Sequence, residues 1–281
     1  MGNALTNQKP GIATYLSNDA VKKNIMSVIG EKNTTKFISS VVSAVQTNPA
    51  LGECTNSSIL SAALLGESLQ LSHSPQLGQF YMVPYKNKGV SEAQFQLGAK
   101  GYKQLAIRTG QYRKMNTSEV REGELKSFNP ITEEIVFNPV KDVATREKLP
   151  VIGYYASFEL LNGFKKEIYW SKEKMEEHAK KYSKGYRGDL QKGTAYTFWS
   201  KDFDGMAEKT MIRQLISKWG IMSIEMQRAY EGDMGVINDD GSVRYIDNEA
   251  DVLEEVHSEI EENANKSELV LDMEESVPEF E

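Results

Sequence analysis

Between Lys86 and Lys114 the sequence sets seven basic side chains (Lys86, Lys88, Lys100, Lys103, Arg108, Arg113 and Lys114) against one acid, Glu92. Phe80, Tyr81 and Tyr85 lead into this stretch, Phe95, Tyr102 and Tyr112 are threaded through it, and Gly98, Gly101 and Gly110 punctuate it. These residue types suit a non-covalent chemistry. Cations neutralise phosphates, rings stack on bases, and glycines let a backbone approach its ligand. The same composition also fits an ordinary hairpin and helix with solvated lysines, and both readings stand at this level. A second cationic run, from Lys180 to Gly188 with Tyr182 and Tyr186 inside it, reads as a glycine-bearing loop, either a solvated connector or a further nucleic-acid contact.

Covalent chemistry finds fewer candidates. No glycine-rich loop ends in Lys-Ser/Thr, so nucleotide hydrolysis has no phosphate cradle. His73, His178 and His257 lack partners at metal-ligand spacing, and the single Cys54 gives neither a disulfide framework nor a zinc cluster. Asp202 and Asp204 could hold magnesium in a nuclease, although Asp204 reads more simply as a helix N-cap. Gly98-Ala-Lys-Gly101 imitates the GxxG loop of KH-type RNA binders, without the element order that surrounds that loop. No metal or cofactor is expected.

The elements that must position the basic stretch are legible in its periodicity. Gln79–Lys86 is aromatic and β-branched, with Pro84 implying an edge strand or a bulge. In Glu92–Leu97, Ala93, Phe95 and Leu97 alternate with Gln94 and Gln96, so one face is buried and the other polar. Lys86–Val90 between them reads as a hairpin loop with Lys86 and Lys88 at its tip. A helix then starts after Gly98. Its apolar face is Ala99, Tyr102, Leu105 and Ala106, and Lys100, Lys103, Gln104 and Arg108 lie opposite. The unpaired N–H groups at its start favour a phosphate.

Two long blocks within this stretch and beyond it carry a family resemblance. LGESLQLSHSPQLGQFYMVPYKNK followed by QFQLGAKGYKQLAIRTGQY, and later FWSKDFDGMAEKTMIRQL, resemble the signature of RecT-type single-strand annealing proteins of phage recombination systems. The similarity covers roughly Ile59 to Ala229. It implies ATP-independent binding of single-stranded DNA, a homo-oligomer in the form of a ring or helical filament, and pairing of complementary strands through an annealed duplex intermediate. It also implies a companion exonuclease and a host single-strand-binding protein as partners, and a place in the bacterial cytoplasm. The lone cysteine and the lack of a membrane-length apolar run or signal peptide agree with that compartment.

The rest of the chain reads as α+β: a helical N-terminal part, antiparallel β-hairpins in a curved sheet, a long C-terminal core helix and an acidic, largely disordered tail. Apolar spacing predicts helices over about 17–29 and 34–46, the second stopped by Pro49, and a third capped by Asn56 or Ser57. Strands are predicted over 111–120, 124–128, 133–137, 150–161 and 164–170, the last two joined at Asn162-Gly163 in a type I′ turn. Ser171 caps a helix to about Tyr182. The long helix is predicted over Asp204 to about Tyr230, with Ile212, Leu215, Trp219, Met222 and Met226 as its apolar stripe. Lys209 and Arg213 lie one turn apart beside that stripe.

The net charge of −7 is unevenly distributed: residues 1–232 hold 31 basic and 23 acidic side chains, and residues 233–281 hold 2 and 17. A ligand meets the local field, so a basic body of 1–232 and an acidic tail of 233–281 are expected to behave separately. The tail reads as a competitor for the DNA groove or as a tether for a partner. The candidate DNA-binding residues are Lys86, Lys88, Lys100, Lys103, Arg108, Lys209 and Arg213 for phosphates, with Tyr102 and Trp199 for stacking unless they are core. The alternatives are a magnesium-dependent nuclease and a structural filament protein. Pairing of complementary strands without ATP, and no shortening of either strand when magnesium is supplied, is the expected outcome of a gel assay. Cleavage that disappears in an Asp202/Asp204 double variant would put the nuclease reading first.

Overall fold

The computed structural model describes residues 9–245, apart from Pro75, Lys88, Asp239 and the side chain of Asn87. Lys88, His257 and the acidic stretch beyond Tyr245 therefore lie outside the described residues. Five helices come first: α1 (Ile12–Leu16), α2 (Asp19–Ile29), α3 (Glu31–Thr47), α4 (Pro49–Gly52) and α5 (Asn56–Ser68). The Asn18 side chain accepts from Ala20 N and starts α2, and Gly30, with φ of 79°, ends it. Pro49 does not merely stop α3. It sits at the first position of α4, where its missing N–H costs nothing. The residue before α5 is Thr55, whose hydroxyl bonds Ser58 Oγ, and Asn56 instead donates to the Pro10 carbonyl at 2.8 Å.

The hairpin and helix of the basic stretch follow as β1 (Phe80–Asn87), β2 (Val90–Leu97) and α6 (Ala99–Arg108). The strands pair antiparallel from Phe80↔Leu97 to Asn87↔Val90. Their sheet is completed by two strands from the far end of the described chain, in the order β1-β2-β8-β9, with β8 (Gly235–Ile237) and β9 (Val243–Tyr245). Pro84 is thus on an edge strand, where a lost ladder donor is tolerated. Asp233 and both strands fall in the stretch whose composition reads as tail, yet they pair within the fold. Carboxylate-rich sequence hid a short β-pairing that only the β2 edge makes visible.

A second sheet carries β3 (Tyr112–Arg121), β6 (Val151–Leu160) and β7 (Lys165–Ser171), in the order β3-β6-β7. A small hairpin of β4 (Leu125–Phe128) and β5 (Ile135–Phe137), followed by α7 (Val143–Arg146), is inserted between β3 and β6. The turn at Asn162-Gly163 is not type I′. Only Gly163 has positive φ, Gly163 N bonds the Leu160 carbonyl, and Leu160 N bonds the Phe164 carbonyl. This is the three-residue loop with a left-handed glycine.

Helices α8 (Lys172–Tyr182), α9 (Lys184–Lys192), α10 (Phe198–Lys201), α11 (Phe203–Trp219) and α12 (Ile224–Gly232) complete the order. The basic run 180–188 is helical, not a loop. Ser183 caps α9 by accepting from Tyr186 N, and Arg187 Nη1 donates to the Lys180 and Lys181 carbonyls that end α8. The predicted long helix is two helices broken at Gly220, where a Cβ would stand 2.5 Å from Tyr112 Oη. The predicted stripe fails at Trp219, the last residue of α11, which is exposed with the Lys166 ammonium 4.0 Å from its ring, whereas Met226 is buried from α12.

α11 is the hinge of the packing. Ile212 and Ile216 enter a core shared with the N-terminal helices and the β1-β2 face, through Phe80, Phe95 and Tyr102. Ala207, Met211 and Leu215 enter a second core with Tyr154, Phe158 and Met175 on β6 and α8. A helix buried on two sides shows weak amphipathic periodicity. A chain ending at residue 232 lacks Asp233 and the two strands that extend the sheet, and is expected to melt well below the full chain. One ending at 245 is expected to melt with it. Equal thermal melting of both truncations would show that β8 and β9 contribute nothing.

Candidate nucleic-acid interface

The polar face of β2 is covered by α10 and α11, and a cleft runs between them. One end is lined by Gly98, Ala99 and Lys100 at the start of α6 together with Lys103 and Tyr81. The other end is lined by Tyr85, His178, Tyr182, Tyr196 and Trp199. Gln96, Phe198, Met206 and Lys209 line both, so the two cavities adjoin. The alternation in Glu92–Leu97 thus has a concrete meaning: Ala93, Phe95 and Leu97 face the core, and Gln94 and Gln96 face the cleft.

The predicted residues separate into three groups. Lys100 is exposed at the cleft, where α6 has no side-chain cap. Lys103 is half-buried there and donates to Thr117 Oγ1 at 2.6 Å, while that hydroxyl also reaches Glu208 Oε2 at 3.4 Å. Burial raises the Glu208 pKa, offset by the Lys103 charge and the Thr117 bond. Lys86 is exposed near the hairpin tip, next to Tyr85.

Lys209, Arg213 and Trp199 line the cleft from its walls but are themselves buried. Lys209 is only 5 % exposed and its ammonium lies 2.9 Å from Asp233 Oδ1. Burial lowers its pKa, and Asp233 works against that shift. The Arg213 guanidinium lies 4.5 Å from the Tyr230 ring centroid. The Trp199 ring is tilted against Phe203 at 5.2 Å and belongs to the second core.

Tyr102 and Arg108 are not part of the cleft surface. Tyr102 is 0 % exposed and donates to Asp233 Oδ2 at 3.0 Å, so its ring has no face open to a base. Arg108 turns its guanidinium onto the C-terminal end of α5, donating to the Leu69 and Gln70 carbonyls at 2.6 Å each. Those carbonyls would otherwise be helix-end orphans, and Gln70 takes a left-handed φ of 53° there. The glycines also act within the fold. A Cβ on Gly98 or Gly101 would stand 2.1 Å from the Gly78 or Gln79 carbonyl, so their bareness serves strand–helix packing. That close approach occupies the GxxG stretch and removes the KH-like reading.

Asp202 and Asp204 are both engaged. Asp202 caps α11 by accepting from Gly205 N at 3.0 Å, and Asp204 accepts from the Tyr154 hydroxyl at 2.5 Å. The cap is therefore Asp202, two residues earlier than the expected Asp204. No group of three or more His, Cys, Asp or Glu side chains able to hold a metal ion occurs among the described residues. Likewise, no helix among them is long and apolar enough to cross a membrane.

Sequence reasoning missed the cleft's exposed rings. Tyr196 is 79 % exposed and Phe198 43 %, and Tyr81 lies 6.0 Å from the Phe198 ring. Asp189 presents them. Its carboxylate accepts from Tyr196 N and Thr197 N and from the hydroxyls of Thr194, Thr197 and Ser200. Those bonds, the Thr197 backbone first, hold its pKa far below the usual carboxylate range. The signal was present as three aromatic residues within Tyr196–Trp199.

Fold and cleft together define a mixed α+β protein with an aromatic-lined cleft edged by Lys100 and Lys103. The chain belongs to the RecT family, whose profile matches residues 35–252. It is 43 % identical over 246 residues to the Bacillus subtilis (strain 168) protein YqaK, covering 87 % of this chain and 78 % of that one. It is 27 % identical over 228 residues to Protein RecT of Escherichia coli (strain K12), covering 79 % and 80 %. Membership implies a single-strand annealing role in recombination, which proteins of this kind generally perform without catalysis.

His178 gives the cleft a pH dependence. Burial, then the charges of Arg213, Lys181 and Lys174, push its pKa down to about 4. The folded state resists protonation that the unfolded chain accepts below about 6.5. Stability is therefore full above pH 6.5 and falls as pH drops toward 4. The difference in thermal stability between the native chain and His178→Phe is expected to shift across that window, by about 3 kcal/mol in total. A difference independent of pH would place His178 in a water-like setting.

Proposed function

We propose that this protein binds single-stranded DNA along the cleft and, as an oligomer, anneals complementary strands without ATP. The adjacency of the two cavities supports this reading most. It sets a cationic stretch (Lys100, Lys103 and the uncapped start of α6) and the half-buried Tyr81 ring beside the exposed rings of Tyr196 and Phe198. Phosphates meet the ammonium groups and the helix N-terminus, while rings offer sequence-tolerant stacking. Lys86 extends the cationic edge along the hairpin. Arg213 contributes positive potential from the wall, where burial limits screening by salt, whereas the Lys209 charge is compensated by Asp233.

No bond needs to be made or broken. Two strands repel each other through their backbones, and a surface that neutralises phosphates lowers the barrier to pairing. An oligomer, ring or filament, aligns many such clefts along one strand and multiplies modest affinities.

If about four phosphates are neutralised per protomer, log K falls with log salt at a slope of about −3. Replacing Lys100 and Lys103 by Ala is expected to reduce the steepness of that slope by about 1, measured by fluorescence anisotropy on a folded variant. Arg108→Ala is expected to lower the melting temperature with the slope unchanged. A slope unaffected by the lysine pair would remove these residues from the DNA site.

A further inference from the structure

The floor of the cleft holds a donor with nothing to donate to. Gln94 is 2 % exposed, and its amide nitrogen has no hydrogen-bond partner among the described residues. Its amide oxygen accepts from Gln96 Nε2 at 3.3 Å, which orients the amide and leaves Nε2 as the open group. Buried N–H groups left unpaired are uncommon because each forfeits a hydrogen bond to water. An amide held this way on the floor of a cavity is prepared for a ligand acceptor.

The cavity above it measures about 270 Å³, room for roughly nine waters or more, and so for a heterocyclic base. Tyr182, Tyr196 and Trp199 line its sides. His178, also in the lining, is held neutral near pH 7 and does not compete as an ion. Aromatic rings beside an unpaired amide donor are an arrangement by which proteins hold an unstacked base and read its edge.

We propose that this cavity takes one base of the bound strand, and that Gln94 Nε2 donates to a ring carbonyl of that base. Thymine, cytosine and guanine carry such a carbonyl, and adenine does not. The cleft is therefore a reader of keto-bearing bases as well as a phosphate track. This inference rests on the strand-binding reading of the cleft.

The test compares oligo-dT and oligo-dA binding to the full chain at one salt concentration, by fluorescence anisotropy, for the native protein and Gln94→Leu. The variant keeps the side-chain bulk and removes the donor. The dT-to-dA affinity ratio is expected to fall about fivefold in the variant, through weaker dT binding with dA unchanged. An unchanged ratio in a folded variant that still binds both strands overturns the base pocket and leaves the phosphate track standing. A native protein that binds neither strand overturns the cleft reading itself. Photo-crosslinking of the native chain with a 4-thiothymidine strand decides the matter independently of any variant. Crosslinks at Tyr182, Tyr196 or Trp199 support the pocket, and crosslinks confined to residues outside the cavity overturn it.

Discussion

The carboxylate of Asp233 is the point on which the structure depends. It accepts from the Leu97 backbone N–H at 2.8 Å, the Lys209 ammonium at 2.9 Å and the Tyr102 hydroxyl at 3.0 Å. Those donors come from the end of β2, from α11 and from α6, and Asp233 itself lies between α12 and β8. Four parts of the chain are thereby tied at one buried atom pair. The interaction is not cheap, since both charges leave water. Removing either partner would strand the other, a loss of about 3–5 kcal/mol. That is a large fraction of the roughly 5–15 kcal/mol by which a domain is stable. The Tyr102 hydroxyl, with its pKa raised by burial and then by Asp233, stays protonated and remains a donor throughout the accessible pH range.

The cleft is a consequence of this tie. Holding α6 and α11 to the same carboxylate places Lys100 and Lys103 on one side and the α10–α11 junction on the other. Close backbone contacts at Gly98 and Gly101 then seat α6 against residues 78 and 79 with no side chain between. Across the cleft, Asp189 gathers the segment from Thr194 to Ser200 and turns Tyr196 and Phe198 outward. Rigid elements thus present the rings and cations, which under the proposed function would lower the entropy lost when a strand is ordered on them.

The charges divide into working and structural sets by their partners. Arg108 and Arg187 each spend a guanidinium on the carbonyls at a helix end, and Arg146 pairs with Glu124 at 2.7 Å beside the β4–β5 insertion. Lys86 and Lys100 are exposed instead. A rigid fork matches two carbonyls, whereas an ammonium is a point charge on a flexible stem.

The amino-acid sequence alone determined the α+β class, the β1–β2 hairpin, the α6 boundaries and the family, because local periodicity and long ordered motifs carry that information. It also marked the stretch in which Lys100 and Lys103 lie. Tertiary structure alone decided which cations stay available, since Lys100, Lys209 and Arg108 have the same charge in the sequence. One is exposed, one is paired to an aspartate 24 residues away, and one caps a helix 38 and 39 residues upstream. The helix break at Gly220, the use of Asp233 and the strands past residue 232 were illegible for the same reason. Periodicity reports how a segment divides its own faces, whereas the partner that satisfies a buried charge or an open strand edge is supplied by remote parts of the chain.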